Sequence, residues 1–347
     1  MKRLIIILLL LSVYGFLHAQ ETTALQLSLK DAEKIFLERN LSLIAERYNI
    51  DMAQAQVTQA RLFENPVISL EQNVYNRLNG KYFDMGKEGE ATAEIEQVIN
   101  LAGQRNKRVR LERVNKEIAE YQFEEVLRTL RSELNRTFVE ICFIGIYDKE
   151  IESLGLLMQA TKEQQSKGNI SLLESSRLES LLLSLRKEKN ELENNLVGLH
   201  GELNLLLSLP TGQEVTLLLD DEILKQVDAA TVSFTDMSRM LSIRPDLKMA
   251  HASVAAAQAN LKLQRSLAAP EFSIKGMYDR AGNFIDNYFA IGASISVPIF
   301  NRNQGNIKSA KLDIQQNGKE EEYAIEKARM ELHAAYIRLQ KAAELYR

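Results

Sequence analysis

The 347-residue sequence has no tryptophan, one cysteine, five prolines and four histidines, and no stretch beyond residue 19 runs to about eighteen apolar residues. Each shortage removes an option. The lone thiol, Cys142 in VEICFIG, has no partner for an intrachain disulfide, and its apolar neighbours suit a small buried hydrophobe better than a reactive group. So few prolines, with no Ser/Gly-rich linker, predict a few very long elements and an elongated fold rather than several domains on flexible joints. Without a long apolar run, a membrane crossing by this chain has to be made by a β-barrel, the other structure that satisfies its backbone in lipid. His200, His251 and His333 have no second histidine or cysteine at i+3 or i+4, the spacing at which a helix converges metal ligands. Met237 and Met240 read as core filler, and the Glu320-Glu321-Glu322 run as a solvated helix face. No phosphate-binding glycine loop, nucleophile elbow or paired-carboxylate motif occurs. No catalytic, cofactor or metal residue is therefore assigned, and an enzyme is the remotest reading.

What is present begins at the N-terminus. Lys2 and Arg3, the apolar run Leu4 to Leu11 and a Leu17-x-Ala19 end give residues 1–19 the form of a secretory signal. The next residue is Gln20, not cysteine, so no lipid anchor is expected there. Loss of Lys2 and Arg3 takes 43 basic residues to 41 against 47 acidic ones, a net charge of −6, which argues against a nucleic-acid partner.

Asn40 to Ile68 and Arg244 to Phe272 align without a gap at an offset of 204. Leu43, Ala53, Gln54, Ala55, Arg61, Pro66 and Ser69 match Leu247, Ala257, Gln258, Ala259, Arg265, Pro270 and Ser273. Each copy is an Ala/Gln-rich helix stopped by proline, then alternating strand, a hairpin and a further long helix, which reads as a duplication. The first copy's helix, capped by Ser28 or Asp31, is expected to continue to about Asn65. In the hairpins, Ile68, Leu70 and Val74 share a face with Gln72, and Ala91, Ala93, Ile95 and Ile99 alternate with Thr92, Glu94 and Glu96. Phe272, Ile274 and Tyr278, then Phe289, Ile291, Ala293, Ile295 and Val297, repeat the pattern. Period-two alternation makes half-buried strands. Strands of about nine to eleven residues have the length of tilted membrane strands, although a soluble sheet packed on helices fits the pattern equally well. Export and the lack of spanning helices favour membrane strands. Four strands cannot close a barrel, for which about eight is the smallest number, so several copies must share one.

Arg77 to Gly89, with Asn79-Gly80, and Asp279-Arg-Ala-Gly282-Asn are the hairpin turns, and Gly103 and Gly305 mark strand giving way to helix. From Gln104 to about Lys167 one helix of roughly 60 residues is expected, about 90 Å long. Lys167-Gly-Asn-Ile-Ser breaks it, Ser171 caps a return helix, and Leu178, Leu185, Leu192, Leu199 and Leu206 recur every seven residues beside Leu182, Leu196 and Leu203. The organisation read from this is a signal, 1–19; a first repeat, 20–232, with a β-hairpin at about 66–100, a helical hairpin at 104–209 and an equatorial segment at 210–232; and a second repeat, 233–347, with a β-hairpin at about 270–300. Only 42 residues follow Gly305, against about 107 between Gly103 and Pro210, so the second repeat is expected to be C-terminally incomplete, without a return helix or second tip.

The stretches SLKDAEKIFLERN, AQAQVTQARLFENPVISLEQ, EQVINLAGQRNKRVRLE, KGNISLLES, RPDLKMAHASVAAAQANL and SISVPIFNRNQGNIKSAK, in this order and spacing, resemble the TolC family of outer-membrane efflux proteins. The resemblance implies a mainly α fold with a small β part. Long antiparallel helices form a periplasmic α-barrel, and two β-hairpins from each chain of a homotrimer contribute to a shared transmembrane β-barrel in outer-membrane lipid. It further implies passive export of substrates, heavy-metal cations or drugs, delivered by an inner-membrane pump through a periplasmic adaptor. The turn Leu101-Ala-Gly103-Gln-Arg105 is similar to that of the cobalt-zinc-cadmium resistance branch. Glu94 and Glu96, opposite the apolar face, are candidate lumen residues, or else line an exposed sheet. Lys167, Gly168, Ile170, Ser171 and Leu172 are candidate adaptor contacts at the helical tip, or else a simple capped turn. The rival from another class is a periplasmic coiled-coil adaptor or scaffold without a pore. An adaptor calls for a β-rich biotinyl-lipoyl-like domain split around one helical hairpin, whereas this sequence carries helix–hairpin–helix repeats.

Overall fold

A computed structural model describes residues 25–218, 232–281 and 285–345. The signal-like segment, most of the equatorial segment and Gly282 in the second hairpin turn lie outside the described residues. The chain divides into two compact units, Met1–Ile44 with Leu127–Val227, and Ala45–Val126 with Asp228–Arg347.

In the first unit, β1 (Leu25–Ser28) leads directly into α1 (Leu29–Arg39). Ser28 caps that helix: its hydroxyl accepts from the Asp31 N–H, while the Asp31 carboxylate accepts from Ser28 N and Oγ at 3.2 and 2.6 Å. Those same bonds hold the Asp31 carboxyl below the ordinary carboxylate range. The expected unbroken helix then stops at Asn40, whose backbone (φ −59°, ψ 117°) leaves the helical region, and α2 (Leu41–Ala60) begins. Asn40 is buried and used twice. Its Oδ1 accepts from Leu43 N at 3.0 Å, capping α2, and its Nδ2 donates to Leu206 O at 2.9 Å. β1 pairs in parallel with β6 (Val215–Leu218), a contact the sequence pattern did not predict.

The helical hairpin consists of α3 (Gln104–Ser166), of which residues from Leu127 onward belong to this unit, and α4 (Leu172–Leu206). Leu134 and Phe138 on α3, and Leu182, Leu203 and Leu206 on α4, are buried. Each such side chain contributes about 1.5–3 kcal/mol by leaving water. The remaining Leu positions of the heptad run are half-buried, so the run is a seam of unequal depth. Thr137 Oγ1 and Arg136 Nη2 donate to Glu202 Oε1 at 3.1 and 3.2 Å, and Lys162 meets Glu179 at 3.3 Å nearer the tip.

The second unit is built on an antiparallel four-stranded sheet of order β2 (Val67–Gln72), β5 (Ala91–Ile99), β7 (Glu271–Asp279), β8 (Tyr288–Ser296). The two hairpins therefore join through β5 and β7, with Ile95 opposite Gly276 and Ile99 opposite Phe272. α2 ends at Ala60, five residues earlier than the expected Asn65. Arg61 and Leu62 close its last turn on Thr58 and Gln59 carbonyls, and the residues before Pro66 are biased away from helix. β2 is likewise shorter than expected. Beyond Gln72 the chain bends into a two-stranded ribbon, β3 (Tyr75–Asn76) with β4 (Lys81–Tyr82), of which β4 lies inside the segment Arg77 to Gly89 read from sequence as loop. Asp84 holds this excursion together by accepting from Asn76 Nδ2 at 3.0 Å, Gly86 N at 2.8 Å and Asn79 Nδ2. These donors, Asn79 foremost, lower its pKa.

α5 (Phe234–Met240) and a short 3-10 turn lead to Arg244, which binds Asp246 through Nε and Nη2 at 3.0 and 2.7 Å, and α6 (Pro245–Ser266) follows. α6 packs along α7 (Gln304–Leu345), to which Arg244 adds a contact to Glu331 at 3.2 Å. Small residues Ala252, Ala257, Ala259, Ala310 and Ala328 are buried on these two helices and let them approach closely.

Candidate functional site

Alternation along the four strands, combined with their register, gives the sheet two unlike faces. One row across it reads Ile68, Ile95, Gly276, Ile291, and the next reads Leu70, Ala93, Tyr278, Phe289. This face is apolar, yet uncovered in the chain: Leu70 is 75%, Phe289 75% and Ile291 89% exposed. A single exposed isoleucine needs no explanation, but a continuous apolar sheet face is an interaction surface.

The opposite face is polar and internally bonded. Ser69 and Met277 flank Glu94 across the sheet, and Val67 and Lys275 flank Glu96. Lys275 Nζ reaches Glu94 Oε2 at 3.3 Å. Ser273 Oγ donates to Glu96 and lies 2.7 Å from Ser294 Oγ. The two carboxylates picked from sequence thus sit on one face, two residues apart, each with a partner from the second hairpin. Lys275, Ser273 and Ser294 were missed. Their signal was available in the alternation of Ser273, Lys275 and Met277 against Phe272, Ile274 and Gly276, but their partners were not.

At one end of the sheet all four strands meet helices. Ala102 and Gly103 both take left-handed backbone (φ +54° and +66°), completing the turn of β5 into α3 over residues 100–103, a bend in which glycine is unstrained. The junctions are tied to one another: Gln97 Nε2 donates to Glu64 O at 3.0 Å, Gln104 Nε2 to Ser266 O at 3.1 Å, and Asn303 Nδ2 to Gln264 O at 2.8 Å.

In the first unit the helical tip is a tight reversal. Gly168 has φ +77°, and Ser171 caps α4 by accepting from Glu174 N at 3.2 Å while Glu174 accepts back from Ser171. Lys167 and Leu172 are exposed and Ile170 is half-buried, so Leu172, 71% exposed, with Leu173 beside it, forms a small apolar edge. The tip residues and the two strand glutamates belong to different units.

Cys142 is half-buried, and that burial raises its pKa. Burial lowers that of His200. His251 Nδ1 lies 2.9 Å from Glu321, and His333 packs edge-on to Phe234. Among the described residues no cluster of three His, Cys, Asp or Glu side chains converges as a metal site, and no helix is long and apolar enough to cross a membrane.

The chain is 25% identical over 252 residues to the pyoverdine export outer membrane protein OpmQ of Pseudomonas putida, a match covering 63% of this chain and 50% of that protein. The chain spans about half the length, or less, of the curated relatives it matches. Among solved structures it is similar to CusC, studied for folding and transmembrane channel formation, with a TM-score of 0.68 at 20% identity, covering 92% of this chain and 77% of that one. The CmeC outer membrane channel of Campylobacter jejuni gives 0.66 at 19% identity, covering 90% and 71%. The fold is therefore that of the outer-membrane channels: mainly α with a small β part, long helices and two β-hairpins. Residues 237–347 match the family described as outer membrane efflux protein, and this match, with the curated relatives, supports an outer-membrane location for the chain.

Proposed function

We propose that this chain is the outer-membrane channel component of a tripartite efflux system. Three copies each donate four strands to one β-barrel, and the long helices continue it as a tube through the periplasm. The observation that carries the reading is the sheet itself: an uncovered apolar face backed by a bonded polar one, bounded by unpaired edges at β2 and β8. An open sheet with two free edges is a liability that closure removes, and an apolar exterior around a polar interior is the design of a membrane barrel.

The polar face then lines the lumen, with Glu94 and Glu96 setting its charge and Lys275 offsetting one of them. Transport is passive, because the chain offers a wall rather than bond-making groups. Lys167, Gly168, Ile170, Ser171 and Leu172 form the docking tip for the periplasmic adaptor, through which an inner-membrane pump delivers substrate. Gly168 permits the reversal and Leu172 gives the partner an apolar foothold. The substrates belong to the classes of heavy-metal cations or drugs. The Leu101-Ala-Gly103-Gln-Arg105 turn supports the cobalt-zinc-cadmium branch, while the name of the curated relatives, pyoverdine export, supports an organic substrate.

The test is fractionation of cells expressing the full chain, followed by crosslinking of the purified protein and conductance measurement in planar bilayers. The reading requires extraction from the outer membrane by detergent only, a crosslinked trimer and discrete conductance steps. Release by salt alone as a monomer would sink it.

A further inference from the structure

The foot of the sheet carries a charge pattern unlike the rest of the molecule. In the four strand–helix junctions, residues 61–66, 100–110, 262–270 and 297–308, there are nine Lys or Arg side chains and one carboxylate, Glu64, in a chain whose overall formal charge is −4. Among the described residues, the one ion pair within these junctions is Arg108 with Glu64, at 3.8 Å. Large apolar side chains stand exposed in the same segments: Phe63 is 77% and Phe300 91% accessible.

One cavity concentrates these features. It is lined by Phe63, Glu64, Gln97, Ile99, Arg105 and Asn106, among others. The Arg105 guanidinium lies 4.0 Å over the Phe63 ring and donates to Arg61 O at 3.4 Å, so it is held by a ring face and a carbonyl rather than by a carboxylate. Gln97 and Ile99 occupy the strand positions that alternate onto the apolar face of Ile95. The cavity therefore opens where that face ends and the cationic belt begins.

We propose that this cavity, with Arg105 as its anion-binding group, is a headgroup site for an anionic glycerophospholipid of the periplasmic leaflet. The proposal rests on the reading that the apolar face meets lipid. The phosphate is held by the Arg105 guanidinium, whose paired donors suit its oxygens. The acyl chains lie along Ile99 and Ile95, and the Phe63 ring packs at the level of the glycerol. A free phosphate would satisfy Arg105 equally but leave the apolar half of the site uncovered, which is why lipid is the assigned ligand. Occupied in this way, the site fixes how deep the barrel sits and braces the turn that starts α3.

The test uses the full chain in vesicles of phosphatidylethanolamine with phosphatidylglycerol, extracted in mild detergent and weighed intact by native mass spectrometry to count the lipids retained. Wild type is expected to retain phosphatidylglycerol above its bulk share. The R105Q variant should lose this enrichment by about fivefold, and R105K should restore most of it. Wild-type protein that inserts and forms trimers without enrichment overturns the site while leaving the channel reading intact. Wild type that never enters vesicles overturns both. Inorganic phosphate that displaces the retained lipid completely, and binds equally well in its absence, overturns lipid as the ligand. An R105Q variant that loses trimers but keeps its lipid marks the cavity as a subunit contact, which also refutes the proposal.

Discussion

Ile291→Arg is the sharpest perturbation of the channel reading, because the two environments that could surround this residue differ in cost by more than the error of measurement. Ile291 lies near the middle of β8, in the row Ile68, Ile95, Gly276, Ile291, and is 89% exposed in the isolated chain. If water covers it, exchanging an already solvated isoleucine for arginine changes stability by no more than about 0.5 kcal/mol. If hydrocarbon covers it, a guanidinium near the bilayer midplane costs about 2–4 kcal/mol per chain, a drop of roughly 30- to 700-fold in the folded population. Ala290→Arg is the matched control, one residue away and on the opposite, polar face, where the reading expects a change within about 1 kcal/mol. Folding of both variants into vesicles would be followed by urea titration and by the heat-dependent shift in gel mobility that marks a closed barrel. I291R folding like wild type while A290R fails would mean that the apolar face is not the lipid face.

Three further outcomes follow from particular contacts. Asn40→Ala removes the α2 cap and strands the Leu206 carbonyl; at about 1 kcal/mol for the cap and about 1–3 for the orphaned group, local stability should fall by about 2–4 kcal/mol, read as faster hydrogen exchange at Leu43. Asn40→Asp keeps the cap acceptor but not the donor, so full protection in that variant would refute the role given to Leu206. Lys275→Met unmasks Glu94 and should raise cation over anion permeability in planar bilayers; an unchanged reversal potential would place these residues off the conduction path. Burial and the hydrogen bond to Glu202 raise the pKa of Glu133, with Arg136 pulling weakly the other way. The folded first unit then holds this proton more tightly than the unfolded chain does, so the contribution to stability is full below the ordinary glutamate value of about 4.5 and declines as pH rises through the folded value. Glu133→Gln should flatten that decline in melting curves taken from acidic to neutral pH, and parallel wild-type and variant profiles would contradict it.

Features governed by local physics were legible in the amino-acid order. Alternation at Ile68, Leu70 and Ile95 fixed the strands and their apolar side, proline and glycine fixed where α2 and α3 are interrupted, and Ser171 with Glu174 fixed the start of α4, because period, backbone sterics and capping act over a few residues. Even there the boundaries slipped at Asn40, Ala60 and Gln72. Of the candidate lumen site, the two glutamates were legible but Lys275 as a partner was not. Long-range packing alone sets the joining of the hairpins through β5 and β7, the meeting of Lys275 with Glu94 across 181 residues, and the helix break at Asn40, which binds Leu206, 166 residues away. These choices were invisible because many asparagines and lysines have the same local surroundings. What distinguishes these few is a partner brought near by the register of strands and the packing of helices, and neither is written in any short stretch of chain.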